Sequence, residues 1–102
     1  MNPSNLELHD AILRTWTVDF HDQSITLLVD AYMSESDKTR RPVGIKFSGV
    51  SNLTCIADLE VIVNNNRSGN INYWAPAEEF GVSYIYLNEG CIAIKALAIQ
   101  ID

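Results

Sequence analysis

Apolar and polar residues alternate along most of this chain, beginning with the stretch ILRTWTVDF (12–20). Its even-numbered positions are apolar except for Arg14, which breaks the run. The stretch SITLLVDAYM (24–33) alternates again, with an apolar residue at every odd-numbered position. A period of two is that of a β-strand, whose side chains point in turn to its two faces. The short polar link between the two runs therefore predicts a β-hairpin.

Further strands follow from the same pattern. VGIKFSGV (43–50) predicts a third strand after a polar loop that Pro42 closes. VSYIYL (82–87) and CIAIKALAIQI (91–101) predict a last hairpin, in which we expect Gly90 to take a positive φ. Before this hairpin, INYWAPAEEFG (71–81) is short and aromatic, and Pro76 suits the first turn of a short helix.

The stretch LTCIADLEVIV (53–63) fits two structures. Every second residue from Leu53 to Val63 is apolar, as in a strand, and β-branched residues crowd its second half. A helix would place Asp58 or Glu60 within the apolar stripe. The pattern favours a strand, and the helical alternative stays open.

These elements predict a mainly β protein of six or seven strands, with at most one short helix. We expect one domain over residues 1–102, an antiparallel sheet or small sandwich built from hairpins. Its 47% hydrophobic residues suffice for a core. Cys55 and Cys91 lie in apolar runs, and we expect both to be buried and reduced. No apolar run approaches the ~20 residues of a membrane helix, and no secretory signal is visible, so the expected compartment is the cytoplasm.

Two His-Asp pairs, His9-Asp10 and His21-Asp22, contain both histidines of the chain and suggest a metal site or an acid–base pair. The ten residues of predicted strand between them separate the pairs by roughly 30 Å, whereas metal ligands converge on one point. We therefore expect them to be structural residues at the two ends of the first strand, and we expect no metal ion and no cofactor.

Catalytic patterns are weak elsewhere. The chain has no GxSxG motif and no glycine-rich phosphate loop. Its one adjacent carboxylate pair, Glu78-Glu79, follows a proline turn and is more typical of a solvated loop. We expect no catalytic residues and no enzymatic activity. The alternative is a small-molecule-binding β domain, or a minor enzyme, whose pocket is formed by Tyr73, Trp74, Tyr84 and Tyr86.

Charge favours a protein partner. Thirteen acidic and seven basic residues give a net charge of −6, and four of the basic residues lie within 38–46. Such a surface repels nucleic acid and anionic membranes and attracts basic partners. An exposed aromatic anchor among acidic residues would suit docking. The residues predicted to bind a partner are Asp19, Asp22, Asp58, Glu60, Trp74, Glu78 and Glu79.

The segments NLELHDAIL, KFSGVSNL and YIYLNEGCIAIKA resemble those of small bacterial immunity proteins. These proteins are encoded beside polymorphic or contact-dependent growth-inhibition toxins. The sharpest matches are LHDA (8–11) and FSGV (47–50), while residues 54–81 match nothing in the group. The resemblance implies a cytoplasmic, non-catalytic β-rich protein that binds one cognate toxin and covers its active site or substrate-entry surface. Such toxins are often basic nucleases, which would suit an acidic inhibitor.

Overall fold

The computed structural model describes all of residues 1–102 and contains eight β-strands. In chain order the elements are a 3₁₀ turn (Pro3–Asn5), β1 (Ile12–Asp19), β2 (Ser24–Ala31), β3 (Arg41–Ser48), β4 (Asn52–Ile56), α1 (Leu59–Asn64), β5 (Ile71–Ala75), β6 (Gly81–Leu87), β7 (Gly90–Ala96) and β8 (Ala98–Ile101). Sheet A has the strand order β1-β2-β3-β8, and sheet B has the order β4-β7-β6-β5. All pairs are antiparallel, which confirms the predicted mainly β fold.

Two chain segments pass from one sheet to the other at a shared corner. β3 continues into β4 through Gly49, and β7 continues into β8 through Leu97. The Leu97 amide donates to the Ser48 carbonyl at 3.0 Å, and the Ser51 amide donates to the Lys95 carbonyl at 2.9 Å. The predicted last strand is therefore bent into two at Leu97, which is why eight strands are present.

The core lies between the two sheets. Its sheet A side comes from the odd-numbered residues of β2 and β3, as their alternation predicts. Phe47, Leu27 and Ile45 are completely buried there. Full burial of an aliphatic or aromatic side chain contributes about 1.5–3 kcal/mol. The alternation of residues 12–20 places Phe20 on the same face as Val18, but β1 ends at Asp19 and Phe20 is 86% exposed in the following turn.

A β-bulge explains the break at Arg14. Leu13 pairs with Val29, but Thr15 pairs with Leu28, so Arg14 is the extra residue. The bulge shifts the alternation by one position. The Arg14 side chain turns to Asp30, with which it forms a salt bridge.

The stretch 53–63 is a strand followed by a helix, so the prediction of one strand is half wrong. β4 ends at Ile56, and α1 begins at Leu59. The Asp58 carboxylate accepts a hydrogen bond of 3.1 Å from the Val61 amide and so caps the helix. A cap of this kind satisfies an amide that has no partner within the helix, and it outweighs the strand-like alternation.

Two turns also differ from expectation. Residues 76–80 are irregular and contain no helical turn at Pro76. In the β6–β7 turn the positive φ belongs to Glu89 and not to Gly90. Glycine is needed at position 90 for another reason, since a Cβ there would lie 2.4 Å from the Ile56 carbonyl oxygen.

Candidate functional site

A bulge in β5 decides which aromatic side chains reach the surface. Ile71 pairs with Leu87, but Tyr73 pairs with Tyr86, so Asn72 is an extra residue. Ile71 and Trp74, three positions apart, therefore both point into the core. The prediction of Trp74 as an exposed anchor is wrong: it is 7% exposed, and its indole Nε1 donates a 2.8 Å hydrogen bond to the Leu6 carbonyl.

The first His-Asp pair holds this bulge in place. The Asn72 carbonyl lies 2.8 Å from His9 Nδ1, and the Asp10 amide donates to the Ile71 carbonyl at 3.0 Å. The hydrogen bond to Asn72, followed by the nearby Asp10 carboxylate, raises the pKa of His9 above its ordinary value of 6.5. His9-Asp10 thus ties the N-terminal segment to the start of β5, a structural role of the predicted kind.

The second pair lies at the other end of β1. His21 and Asp22 are exposed in the β1–β2 turn, where the Asp22 amide donates to the Asp19 carboxylate at 2.9 Å. Together the two pairs flank β1, as predicted. No group of three or more His, Cys, Asp or Glu side chains is placed to hold a metal ion.

The outer side of sheet B carries a row of stacked tyrosines. The Tyr73 and Tyr86 ring centroids lie 4.6 Å apart with 24° between the planes. Tyr84 continues the row at 6.1 Å from Tyr86 with 16° between the planes. Burial raises the pKa of Tyr86, and its neighbours Tyr73 and Cys91 add to the effect. The Tyr86 ring is therefore neutral at physiological pH.

We call the whole outer side of sheet B the tyrosine face. The cross-strand register assigns eleven residues to it: Asn52, Thr54, Ile56, Tyr73, Ala75, Val82, Tyr84, Tyr86, Cys91, Ala93 and Lys95. Lys95 is the one charged residue among them, and its ammonium lies 5.3 Å from the ring centroid of Phe80. Several large side chains are well exposed, including Ile56 at 70% and Tyr73 at 51%. The face is therefore broad, apolar and aromatic.

The predicted small-molecule pocket is not formed by these aromatics. Tyr73, Tyr84 and Tyr86 lie together on the outside, whereas Trp74 points to the inside of the same sheet. None of the four lines any of the cavities in the molecule. They form a flat platform, which suits another surface better than an enclosed ligand.

The predicted acidic contacts fall into three separate places. Asp58 and Glu60 lie where the chain leaves β4, at one end of sheet B, and Glu78 and Glu79 lie in the β5–β6 loop at its other end. Asp19 is the last residue of β1 in sheet A, and Asp22 lies in the β1–β2 turn. Four of the six acidic residues therefore flank the tyrosine face, and two do not.

The sequence did not predict Ile56 and Val82 as members of the tyrosine face, nor Phe80 as its neighbour. The visible signal is in VSYIYL, where both faces of one strand carry apolar or aromatic residues. Such a strand is expected to be covered on both sides. In the structure one side is covered by sheet A and the other is open.

The cysteines also differ from expectation. Both thiols are free, but Cys55 is exposed and Cys91 is half-buried, so neither is the fully buried residue expected. Neither of the two short helical segments has the length or apolar character needed to cross a membrane. Comparison with protein-family models, curated proteins and solved structures finds no match in any of the three.

Proposed function

We propose that this protein is a cytoplasmic immunity-type binding protein that docks a cognate toxin on its tyrosine face. The observation that carries the proposal is the exposed row Tyr73–Tyr86–Tyr84 on a face with a single charge. An apolar aromatic surface of this kind is typical of the centre of a protein–protein interface. The resemblance of LHDA and FSGV to immunity proteins supports the identity of the partner class.

Stacking prepares the tyrosines for binding. Each ring is held by its stacked neighbour, and cross-strand pairing of Tyr73 with Tyr86 fixes the spacing of β5 and β6 there, so little side-chain entropy remains to be lost on docking. Tyrosine combines a large apolar ring with a hydroxyl that can pair with polar groups of a partner. The tyrosine face thus offers area and hydrogen bonding at low entropic cost.

The acidic residues at the two ends of sheet B favour a basic partner. One end of sheet B carries Asp58 and Glu60, and the other carries Glu78 and Glu79. Between them, Lys95 is the only charged residue of the tyrosine face. Charges at the rim of an interface mainly accelerate association and select the partner. A basic nuclease-type toxin would meet complementary charge on approach and an apolar surface on contact.

In this mechanism inhibition is steric and electrostatic. The tyrosine face covers the catalytic or substrate-entry surface of the toxin, and the flanking carboxylates occupy positions that an anionic substrate would take. Trp74 is not a contact in this proposal, because it lies in the core. Asp19 and Asp22 are not contacts either, because they lie at the end of β1 and in the following turn, on sheet A.

Co-expression with the product of the adjacent upstream gene tests the function. We expect that product to inhibit growth when expressed alone and to co-purify with this protein when growth is restored. Failure of the two products to bind, or growth inhibition that this protein does not relieve, would refute the immunity function.

A further inference from the structure

A gap lined by apolar side chains separates strand β1 of sheet A from strand β4 of sheet B. At one end a cavity of about 170 Å³ lies between Val18 and Leu53. At the other a cavity of about 200 Å³ is lined by Leu13, Trp16 and Cys55. We call this gap, between residues 13–20 of one sheet and residues 50–62 of the other, the slot.

Both rims of the slot are unpaired strand edges. β1 hydrogen-bonds only to β2 and β4 only to β7, since each is the outermost strand of its sheet. Outside these two ladders, no backbone–backbone hydrogen bond involves residues 15–19 or residues 52–56. Five regular residues of β1, beyond its bulge, and five residues of β4 therefore each have one edge without backbone partners. Each rim offers free amide N–H and carbonyl groups.

The walls of the slot are suited to alternating side chains. Trp16 is 38% exposed and borders the slot, and behind it Leu13 and Ile62 pack against the core. An inserted strand would point every second side chain toward this apolar interior and the others toward solvent. A compact apolar ligand would fill the cavities, but it would leave both rows of backbone groups unpaired.

Charge at one end of the slot indicates which kind of peptide would bind there. Asp19 lines that end. Arg14, the basic residue along the slot, is already paired with Asp30. The slot therefore has one acidic end beside an apolar middle.

We propose that the slot binds an extended peptide segment of about five residues with alternating apolar side chains and a basic flank, which adds a strand between β1 and β4. This site is separate from the tyrosine face, which is the opposite side of sheet B, and it does not depend on the proposed function. Strand addition would join the two sheets at their open edge.

The probe is the synthetic nonapeptide KKVTVTVKK, and the readout is alkylation of Cys55. Cys55 is exposed and lines the slot, so an inserted strand would cover it. Substitution Cys91→Ser leaves Cys55 as the single thiol. Burial raises the pKa of Cys55, and Cys91 adds to the effect in the wild type. Alkylation of the variant by iodoacetamide is therefore measured with and without peptide at one alkaline pH, where the Cys55 thiol reacts readily. At a peptide concentration ten times its Kd, about a tenth of sites stays open, and alkylation should slow about tenfold.

Two matched peptides separate strand addition from apolar binding. N-methylation of the three valine amides removes the donors along one edge but keeps the side chains, and it should abolish protection. The peptide DDVTVTVDD keeps the strand pattern and reverses the flanking charge, and it should bind at least several-fold more weakly. On binding of KKVTVTVKK, amide exchange should slow in both segments, 15–19 and 52–56.

Either of two results would overturn the proposal. No slowing of Cys55 alkylation up to millimolar peptide, or equal slowing by the N-methylated peptide, would exclude strand addition. Substitution Tyr84→Lys on the tyrosine face should leave peptide binding unchanged, so a failure here would not bear on the proposed function.

Discussion

The indole Nε1 of Trp74 donates a 2.8 Å hydrogen bond to the carbonyl oxygen of Leu6, near the start of the chain. Three positions earlier, Ile71 accepts a hydrogen bond from the Asp10 amide. These contacts fasten the N-terminal segment to β5 on both sides of the Asn72 bulge. They explain why one aromatic of NYW is buried while the other, Tyr73, reaches the tyrosine face.

Substitution Trp74→Phe should therefore destabilise the fold. It removes the donor, leaves the Leu6 carbonyl without its partner, and should cost about 1–3 kcal/mol of unfolding free energy. The matched control is Trp16→Phe, because Trp16 is 38% exposed and should cost less than about 1 kcal/mol. Urea denaturation measures both, and equal costs would show that the Trp74–Leu6 contact is unimportant.

Stability should depend on pH through His9. The pKa of His9 is raised in the folded protein, so protonation stabilises the fold. This contribution is complete below the ordinary pKa of 6.5 and is lost as the pH rises through the higher pKa of the folded state. The urea midpoints of the wild type and His9→Gln should therefore differ more at pH 5.5 than at pH 9. A difference that grows with pH would contradict this assignment.

Asp58 should matter to stability as a helix cap. Asp58→Ala removes the acceptor of the Val61 amide and should cost about 0.5–2 kcal/mol. Asp58→Ser keeps a capping oxygen and should recover most of the loss. Glu60→Ala, two residues further on in the first turn of α1, removes a similar charge without removing a cap and serves as the control. If Ala and Ser at position 58 were equivalent in urea denaturation, the capping role would be wrong.

The corner between the sheets should not tolerate a side chain at Gly49. Its φ is +63°, and an added Cβ would lie 2.6 Å from Leu97 Cδ1. Gly49→Ala should cost about 1–2 kcal/mol for the left-handed backbone, plus the cost of displacing Leu97. Gly44→Ala is the control, since its nearest neighbour would be 3.7 Å away and its φ is not positive. Thermal denaturation of both variants should show a lower Tm for Gly49→Ala alone.

The alternation of residues could predict the β-class and the inward faces of β2 and β3, because these strands are regular along their whole length. It could not predict Trp74, because one extra residue at Asn72 reverses the face of everything that follows. The break at Arg14 was visible in the sequence, but its meaning as a bulge required the pairing of β2. The pattern of 53–63 favours a strand over helix α1, because the Asp58 cap is a local hydrogen bond and the spacing of apolar residues carries no information about it.

The candidate site was predictable only in its parts. The sequence predicts Tyr73, Tyr84 and Tyr86 as a group together with Trp74, and the structure removes Trp74 from that group. Their arrangement as an open platform depends on which side of sheet B faces sheet A, and that side is set by the corner at Gly49 and Leu97. The acidic residues lie far apart in the chain, so only topology could separate the four beside sheet B from Asp19 and Asp22.

Docking on the tyrosine face is tested most directly by the affinity of the adjacent gene's product for two variants with the same added charge. Tyr84→Lys places the charge within the tyrosine face, and Thr17→Lys places it at an exposed position on β1 of sheet A. Isothermal titration calorimetry of folded proteins should show wild-type affinity for Thr17→Lys and a loss of at least about 2 kcal/mol for Tyr84→Lys, as for the central residue of an interface. Unchanged affinity for Tyr84→Lys, or a larger loss for Thr17→Lys, would contradict docking on the tyrosine face.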